Sequence, residues 1–312
     1  MATPLLDRFS GCLLGLAVGD ALGAQFEGEP PEAIARVVPS VAMLVESLPP
    51  NGLHYTDDTQ MAIGVAETLV RCGRIDEAEL CRQFAANYEA HRGYGYGARL
   101  VLEAMIAGQD YKSVAATHLP GGSFGNGAAM RVAPVGLMFR HSPDLIWQQA
   151  ELSALPTHVH PLGIEGAQIL ALAVGLASTT DELNRADFFP TLAARSTWDE
   201  YAGPLRRAAR VDSAKDLCLF GNGVDAMSSV VTAIACFGLT PHSYEQTISN
   251  AIHLGGDTDT IAAMAGALSG AYLGRGAIPA RLIDALEDRH QGKTCLEELA
   301  SCLLTAHETS VL

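Results

Sequence analysis

The sequence predicts an all-α protein that folds as one compact domain over residues 1–312. Apolar residues recur at helical spacing in several long runs of small side chains. Short turns rich in glycine or proline separate these runs, and no strand-like alternation of apolar and polar residues persists. The sequence offers no clean boundary between two domains. These observations favour helices packed around a common core.

The composition is that of a globular protein without a nucleic-acid surface. Apolar residues make up 48% of the 312 residues, charged residues make up 18%, and the formal net charge is -15. Nucleic-acid backbones are bound by clustered Lys and Arg, so we expect no direct nucleic-acid binding. A site for cations suits this charge balance better.

The cysteines and the apolar segments predict a cytoplasmic protein without a membrane partner. Seven cysteines, an odd number without a C-x-x-C spacing, are typical of reduced thiols. Residues 11–24 are apolar but too short to span a bilayer, and Asp20 interrupts them. The N-terminal stretch also has no credible signal-peptide pattern.

The first helix is predicted over about residues 8–24, with a glycine at every fourth position on one face. Such a face lets another backbone approach closely. In a membrane this spacing would indicate dimerisation, whereas in a globular core it indicates tight helix packing, which we prefer here. Asp20 is expected to be a buried hydrogen-bonding residue, and Glu27 follows the end of the helix. The glycines are Gly11, Gly15, Gly19 and Gly23.

A cluster of oxygen-bearing side chains, Thr56-Asp57-Asp58-Thr59, opens the next predicted helix, which has an apolar periodic run over residues 61–70. On its own, this motif would only cap a helix. A similar cluster late in the chain changes the interpretation, because a compact fold can bring the two together. The pair is then expected to form a metal site.

Between the two clusters lie predicted helices over about residues 76–91 and 98–107, and then a glycine-rich loop at residues 121–131. Glycines in this loop can expose successive backbone N–H groups to an anion. It is not a Walker loop, because no Gly-Lys-Ser/Thr is present, and its spacing does not match a dinucleotide-binding fingerprint. A structural loop between helices remains the alternative.

Two histidines precede a predicted helix over about residues 163–177. No cysteine or third histidine stands at a recognisable metal-site spacing. We therefore expect His158 to contact a ligand or form a hydrogen bond, and His160 to have a structural role. Further along, Phe220-Gly221-Asn222-Gly223 opens an apolar helix over about residues 225–237.

The second oxygen-rich cluster is His253-Leu254-Gly255-Gly256-Asp257-Thr258-Asp259-Thr260, ahead of a small-residue helix over about residues 261–274. Asp259 or Thr260 is predicted to be the N-cap. The carboxylates of Asp257 and Asp259 repel each other, so the helix dipole, hydrogen bonds or a cation must offset that cost. Capping needs only one of these side chains. The second carboxylate, in such apolar surroundings, favours ligation of a hard cation.

In combination, these motifs resemble the ADP-ribosylglycohydrolase family over nearly the whole chain. Each motif alone is weak evidence, but their combination in the family's order is specific. The resemblance implies an all-α orthogonal helix bundle, with a binuclear Mg²⁺ or Mn²⁺ centre at the bottom of a cleft for ADP-ribose. The motifs are residues 11–27, Thr56-Asp57-Asp58-Thr59, Arg92-Gly93-Tyr94-Gly95, residues 122–131, Thr157-His158, Gly221-Asn222-Gly223 and residues 255–260.

The resemblance implies the ligands of the two cations and the groups that transfer protons. Glu27 matches a glutamate on a flexible segment that closes over the metal centre. Glu27, Asp58 and Asp257 are the candidates for acid and base, and the sequence leaves open which carboxylate does which. The implied metal ligands are Thr56, Asp57, Asp58, Asp257, Asp259 and Thr260.

The resemblance also implies how ADP-ribose lies in the cleft. The glycine-rich loop would wrap the diphosphate, with Gly95 and His158 near the ligand. Asn222 and Gly223 would line its adenosine end. The loop residues concerned are Gly122, Ser123, Phe124, Gly125 and Asn126.

The loops look closest to the branch that cleaves O-linked ADP-ribose from serine adducts, poly-ADP-ribose or O-acetyl-ADP-ribose. Phe124 and Ala128 stand where that branch commonly has tyrosine and glycine, so an arginine-directed ADP-ribosyl N-glycohydrolase is the alternative enzyme. A non-hydrolytic ADP-ribose-binding module and a metal-dependent phosphohydrolase are alternatives of other classes. The expected partner is a protein bearing ADP-ribose or a small-molecule ADP-ribose ester.

Overall fold

The computed structural model describes residues 3–46 and 48–310, and over these residues it contains α-helices, short 3₁₀ turns and no β-strand. The all-α prediction is confirmed. The helices are α1 (Leu5–Gly23), α2 (Pro31–Val37), α3 (Val41–Glu46), α4 (Asp57–Cys72), α5 (Glu77–Asn87), α6 (Tyr96–Ile106), α7 (Tyr111–His118), α8 (Ala133–Met138), α9 (Pro143–Ala154), α10 (Pro161–Ser178), α11 (Arg185–Arg195), α12 (Asp199–Ala208), α13 (Ala226–Leu239), α14 (Tyr244–Ile252), α15 (Thr258–Leu273), α16 (Ala280–Ala285) and α17 (Lys293–Ser310).

Helices α1 and α15 pack against each other in antiparallel directions at the centre of the hydrophobic core. Their backbones approach so closely that a methyl group built on Gly11 would lie 2.5 Å from the Gly270 carbonyl oxygen. At the other end of the pair, a methyl group on Gly23 would lie 2.3 Å from the Thr258 carbonyl oxygen. The predicted use of the glycine face for tight packing is confirmed. This packing places the end of α1 beside the start of α15.

Several helix limits differ from the predicted ones. Helix α15 begins at Thr258 with Asp257 as its N-cap, so the prediction of Asp259 or Thr260 as N-cap is wrong. The reason is the turn ahead of it, where Gly255 and Gly256 adopt positive φ angles of 68° and 72°. This turn redirects the chain early enough for Asp259 and Thr260 to fall in the first helical turn.

Two further observations concern α10 and the stretch that follows it. The stretch between α10 and α13, whose sequence is polar and has no clear period, contains α11 and α12. Helix α10 is long and apolar enough to cross a membrane, but 78% of it is buried inside the protein, as expected for a core helix. Its apolar character is therefore accounted for by packing.

Candidate active site

The two oxygen-rich clusters meet where the N-termini of α4 and α15 come together. Thr260 and Asp58 are 202 residues apart in sequence, yet the Thr260 hydroxyl donates to Asp58 Oδ2 at 3.4 Å. The Thr56 hydroxyl donates to the same oxygen at 3.2 Å. Asp57, Asp58, Asp257, Asp259 and Thr260 are all less than 10% exposed. The structure thus brings the two predicted groups of metal ligands together, with Thr56 partly buried and the other five residues buried.

Asp20 holds the start of α4 against α1. Its carboxylate accepts hydrogen bonds from the backbone N–H groups of Thr56 and Thr59, at 2.9 and 3.0 Å, and from the Thr59 hydroxyl at 2.5 Å. Asp20 is fully buried, so the prediction of a buried hydrogen-bonding residue is confirmed. Its bonds use N–H groups that a helix start leaves without intrahelical partners. They therefore fix where the Asp57 and Asp58 side chains lie.

Among the described residues, no positively charged side chain forms an ion pair with the clustered carboxylates. Burial, followed by the negative charge of Asp257, raises the pKa of Asp259 to about 9. Burial and the charge of Asp20 raise the pKa of Asp57 to about 7 and that of Asp58 well above its usual value. The ion pairs of the described residues involve none of these carboxylates. A bound cation would reverse this destabilisation of the ionised forms.

The donor set fits a hard divalent cation. Asp58 Oδ1 is buried and has no hydrogen-bond partner within the part of the chain that the structure describes. A buried ionised oxygen without a partner is costly, and coordination to a metal would satisfy it. Carboxylate and hydroxyl oxygens are the ligands that Mg²⁺ and related ions prefer. These residues are therefore chemically suited to Mg²⁺ or Mn²⁺.

Glu27 lies on an exposed segment beside Asp257 and Asp259. One carboxylate oxygen from each of these three residues lies within 4.8 Å of the other two. Two backbone hydrogen bonds fasten the segment to the glycine turn, because Gly28 N donates to Gly256 O at 2.8 Å and Gly256 N donates to Glu29 O at 3.1 Å. Glu27 is therefore the accessible carboxylate next to the buried cluster.

A cleft of about 260 Å³ leads from the carboxylate cluster past the glycine-rich loop. Asn126 connects the two, since its side-chain N–H donates to Asp257 Oδ2 at 2.5 Å. The loop keeps its shape through a hydrogen bond from Asn126 N to Val224 O at 3.0 Å. Of the residues predicted to bind ligand, the cleft is lined by Gly95, Ser123, Gly125, Asn126 and His158.

The sequence as a whole is similar to a known family. The family profile described as ADP-ribosylglycohydrolase matches residues 1–311. The chain belongs to this family. It is 34% identical to the human protein "ADP-ribosylhydrolase ARH3" over 88% of this chain and 87% of the relative, and 34% identical to the mouse protein of that name over 88% and 86%. The family membership predicted from the motifs is confirmed.

Structural comparison agrees with the family assignment. A solved structure described as "ADP-ribosylglycohydrolase-related protein complex" superposes with a TM-score of 0.71 and 30% sequence identity, covering 97% of this chain and 99% of that chain. An uncharacterised protein of Archaeoglobus fulgidus is 31% identical over 96% of this chain and 97% of its own length. This ADP-ribosylglycohydrolase is therefore an enzyme that hydrolyses glycosidic bonds of ADP-ribose, and we set aside the phosphohydrolase and non-hydrolytic interpretations.

Four residues predicted to bind ADP-ribose lie outside the lining of the cleft. Gly122 packs on the backbone of Val159 and His160, and Phe124 is half exposed with its ring 5.6 Å from the His160 ring. Asn222 binds the protein itself, because its side-chain N–H donates to Leu254 O and its backbone carbonyl accepts from Asp257 N, both at 2.9 Å. Ligand contact by these residues and by Gly223 stays a prediction. Asn222 also has a structural role in holding Asp257.

The cleft of this ADP-ribosylglycohydrolase also contains side chains that sequence reasoning missed. Tyr96 begins α6 directly after Gly95 and is 60% exposed, and Val224, which follows Gly223, is 68% exposed. Their places in the sequence, directly after glycines that are themselves predicted to bind the ligand, are the signal that could have identified them. The other missed lining residues include Met61, Leu119 and Met130.

His158 and His160 have different environments, as the sequence predicted. His160 is structural, since its Nδ1 accepts from Leu162 N at 3.2 Å and caps α10. His158 is buried beside the cleft, and its Nδ1 lies 2.7 Å from the Thr157 hydroxyl. Burial, and then the positive charge of Arg131, lower the pKa of His158 to about 3. The His158 ring is therefore neutral at physiological pH.

This depressed pKa predicts an acid-dependent loss of stability. In the unfolded chain His158 takes up a proton near its ordinary pKa of about 6.5, whereas in the folded protein it does so only near about 3. Between these values the unfolded state binds more protons, so the free energy of unfolding falls as the pH falls. When the pH is lowered from about 7 to about 4.5, the free energy of unfolding of the wild type should fall by roughly 2–3 kcal/mol more than that of His158→Gln.

Urea unfolding of both proteins across this pH range would measure the difference. Groups that titrate equally in the two proteins cancel in the comparison. His160→Gln is the matched control, and it should retain the acid-dependent loss of the wild type. Parallel pH profiles for wild type and His158→Gln would contradict a buried neutral His158.

Proposed function

We propose that this ADP-ribosylglycohydrolase removes ADP-ribose from O-linked acceptors, such as serine adducts, poly-ADP-ribose or O-acetyl-ADP-ribose, and that it depends on two divalent cations. The observation that carries the proposal is the buried carboxylate cluster at the end of the cleft, with Asp58 Oδ1 lacking any partner among the described residues. The linkage rests on the resemblance of the Arg92-Gly93-Tyr94-Gly95 and Gly122 to Gly127 motifs to the branch acting on O-linked adducts.

The proposed metal ligands form two groups with separate supports. Thr56, Asp57 and Asp58 at the start of α4 would hold one side of the centre, braced by Asp20. When bound, the cations would supply Lewis acidity to a water molecule and orient hydroxyl groups of the ribose. The Asp257 side chain accepts from the Asn126 side chain, and the Asp257 backbone N–H donates to the Asn222 backbone carbonyl. The ligands of the second group would be Asp257, Asp259 and Thr260.

The glycine-rich loop supports binding of the diphosphate. A backbone N–H group that faces a cleft can bind phosphate without a cationic side chain, which suits a protein with a net charge of -15. Because Asn126 contacts Asp257, the loop and the carboxylate cluster have a fixed separation. ADP-ribose bound to the loop through its diphosphate would thus present its distal ribose to the carboxylates. We infer that a modified protein is recognised chiefly through its ADP-ribose.

Glu27 is the residue that we propose for proton transfer at the scissile bond. Cleavage at C1 of the ribose develops oxocarbenium character and requires acid assistance to the leaving group. Glu27 is exposed, lines the cleft and lies against Asp257 and Asp259, whereas Asp58 is buried behind the ligand set. Only an accessible carboxylate can reach both the substrate and solvent.

Replacing Glu27 with Gln should separate catalysis from binding. We expect kcat to fall by about 10²-fold or more, because Gln cannot transfer a proton. The Kd for ADP-ribose should change by less than about fivefold, because this product lacks the scissile bond at which Glu27 acts, and a single hydrogen bond is worth about 1 kcal/mol. Steady-state kinetics and calorimetric titration would measure the two effects.

The control for this prediction is Glu29→Gln. Glu29 lies two residues further along the same exposed segment, and its contact with the glycine turn uses the backbone carbonyl only. Its replacement should leave both kcat and Kd unchanged. Equal losses of kcat in the two variants would indicate disturbance of the segment and contradict proton transfer by Glu27.

The linkage and the metal dependence can be tested in one assay. ADP-ribose release would be measured from matched serine-linked, arginine-linked and O-acetyl substrates, each with Mg²⁺, with Mn²⁺ and with EDTA. We expect metal-dependent release from the serine-linked and O-acetyl substrates. Preferential release from the arginine-linked substrate would favour the N-glycohydrolase alternative, which the Phe124 and Ala128 departures support. Unchanged release in EDTA would contradict the metal-dependent proposal.

The cellular location is a separate part of the proposal. All seven cysteines are free, including buried Cys12 and Cys236 and exposed Cys72, Cys218 and Cys302. Free thiols persist in reducing compartments. This supports the cytoplasmic location predicted from the sequence.

A further inference from the structure

Arg131 is a buried cation close to the cleft, and it has no carboxylate partner among the described residues. It is 0% exposed, and its guanidinium lies 4.8 Å from the centre of the Phe84 ring. It donates to the carbonyl oxygens of Gly127 at 3.2 Å and Ser153 at 2.8 Å. Burial lowers the pKa of Arg131 only to about 10, so the guanidinium is charged at neutral pH. A charged guanidinium donates hydrogen bonds and accepts none.

The Thr157 hydroxyl lies between this guanidinium and His158. Arg131 Nη2 is 2.9 Å from Thr157 Oγ1, and Thr157 Oγ1 is 2.7 Å from His158 Nδ1. Because Arg131 can only donate, the hydroxyl oxygen must accept from it. The single hydrogen of the hydroxyl is then available to His158 Nδ1, which accepts it in the tautomer that has Nδ1 unprotonated.

The opposite tautomer leaves a buried group unsatisfied. If His158 Nδ1 carried the proton, Thr157 Oγ1 would accept from both neighbours and its own hydrogen would have no acceptor within the described residues. Thr157 is only 6% exposed, so water would not readily replace that acceptor. An unsatisfied buried donor carries its full desolvation cost. The Nε2–H tautomer of His158 avoids this cost.

The other side of the His158 ring faces the glycine-rich loop. A methyl group built on Gly127 would lie 3.4 Å from His158 Nε2, and one on Gly125 would lie 3.9 Å from it. His158 lines the cleft and is 6% exposed, and Nε2 has no hydrogen-bond partner in residues 3–46 and 48–310. A protonated ring nitrogen of a cleft-lining side chain that has no partner in the protein is suited to an acceptor oxygen of a ligand.

We propose that Arg131 and Thr157 are positioning residues that fix His158 as a neutral Nε2–H donor to an oxygen of the bound substrate. The chemical class of the acceptor is a diphosphate or ribose oxygen, and this part rests on the proposed binding of ADP-ribose. In this relay, the buried cation fixes the direction of the Thr157 hydroxyl, and the hydroxyl fixes the imidazole tautomer. His158 then binds substrate and transfers no proton in the reaction.

The tautomer can be observed directly in the protein without ligand. In ¹⁵N-histidine-labelled protein at neutral pH, long-range ¹H–¹⁵N correlation should show His158 with an unprotonated Nδ1 and a protonated Nε2. Thr157→Ser retains the hydroxyl and should give the same pattern. Thr157→Val removes the hydroxyl with little change of shape, and it should lose the single tautomer.

Substrate binding provides the second measurement. Thr157→Val should bind ADP-ribose about tenfold more weakly, as expected for one misdirected hydrogen bond, while Thr157→Ser should restore wild-type affinity. A protonated Nδ1 in the wild type, or an unchanged tautomer in Thr157→Val, would overturn the proposal. The expected tautomers without any ADP-ribose binding would support the relay and contradict the proposed function.

Discussion

Replacing Asp257 or Asp259 with Asn is expected to abolish turnover and leave the fold intact. Each substitution removes a carboxyl group from a buried cluster, in which burial raises the pKa of Asp257, and burial followed by the charge of Asp257 raises that of Asp259. Asn preserves the size of the side chain but is a weak ligand for a hard divalent cation. We expect kcat to fall by at least about 10³-fold, equivalent to about 4 kcal/mol of transition-state stabilisation.

The measurements are steady-state release of ADP-ribose and far-ultraviolet circular dichroism. Asp216→Asn is the matched control, because Asp216 is exposed in the 3₁₀ turn Ala214–Phe220 and forms no ion pair among the described residues. It should retain wild-type turnover. Near-normal activity from both Asp257→Asn and Asp259→Asn would rule out the proposed metal centre.

Much of this site was predictable because the sequence marks helix starts clearly. Threonine and aspartate at the start of an apolar run indicate an N-terminus, and the repetition of this pattern at Thr56 and Asp257 indicated a shared site. The contact between Thr260 and Asp58 follows from that logic. The predicted N-cap of α15 was wrong because the pattern of apolar residues does not determine at which residue the helix begins after a two-glycine turn.

Contacts made through side-chain amides and ring nitrogens were beyond sequence reasoning. Asn222 is predicted to line the adenosine end of the ligand, and the structure adds a hydrogen bond from its side-chain amide to Leu254 O that the sequence did not indicate. The relay from Arg131 through Thr157 depends on which atoms face one another after the segment before α8 has packed against the turn between α9 and α10. Nothing in the residue types or their spacing encodes that pairing. Helix periodicity specifies a buried face, whereas hydrogen-bond direction depends on tertiary packing.

The contact between α1 and α15 predicts that a single methyl group will destabilise both the fold and the site. In Gly19→Ala, the new Cβ would lie 2.2 Å from the Ala262 carbonyl oxygen, which is backbone and has no alternative rotamer. The two helices must then separate or shift. We expect the free energy of unfolding to fall by about 3 kcal/mol, which lowers the melting temperature by about 5–10 °C.

Gly203→Ala makes the same chemical change where there is space for it. Gly203 lies inside α12, and a methyl group there would meet no atom within 4 Å. This variant should be as stable as wild type or more stable by up to about 1 kcal/mol, because alanine favours the helix and restricts the unfolded chain. Chemical denaturation of the three proteins would measure the contrast, and equal stability of the two variants would contradict it.

The close contact between α1 and α15 should also affect turnover. Asp20 lies one residue beyond Gly19 and holds the start of α4, while Ala262 lies in α15 just after the proposed ligands Asp259 and Thr260. A shift between α1 and α15 therefore moves the two groups of proposed ligands relative to each other. Gly19→Ala should lose turnover even at temperatures where it is fully folded, whereas Gly203→Ala should retain it. Full activity of folded Gly19→Ala would show that the glycine contact contributes to stability alone.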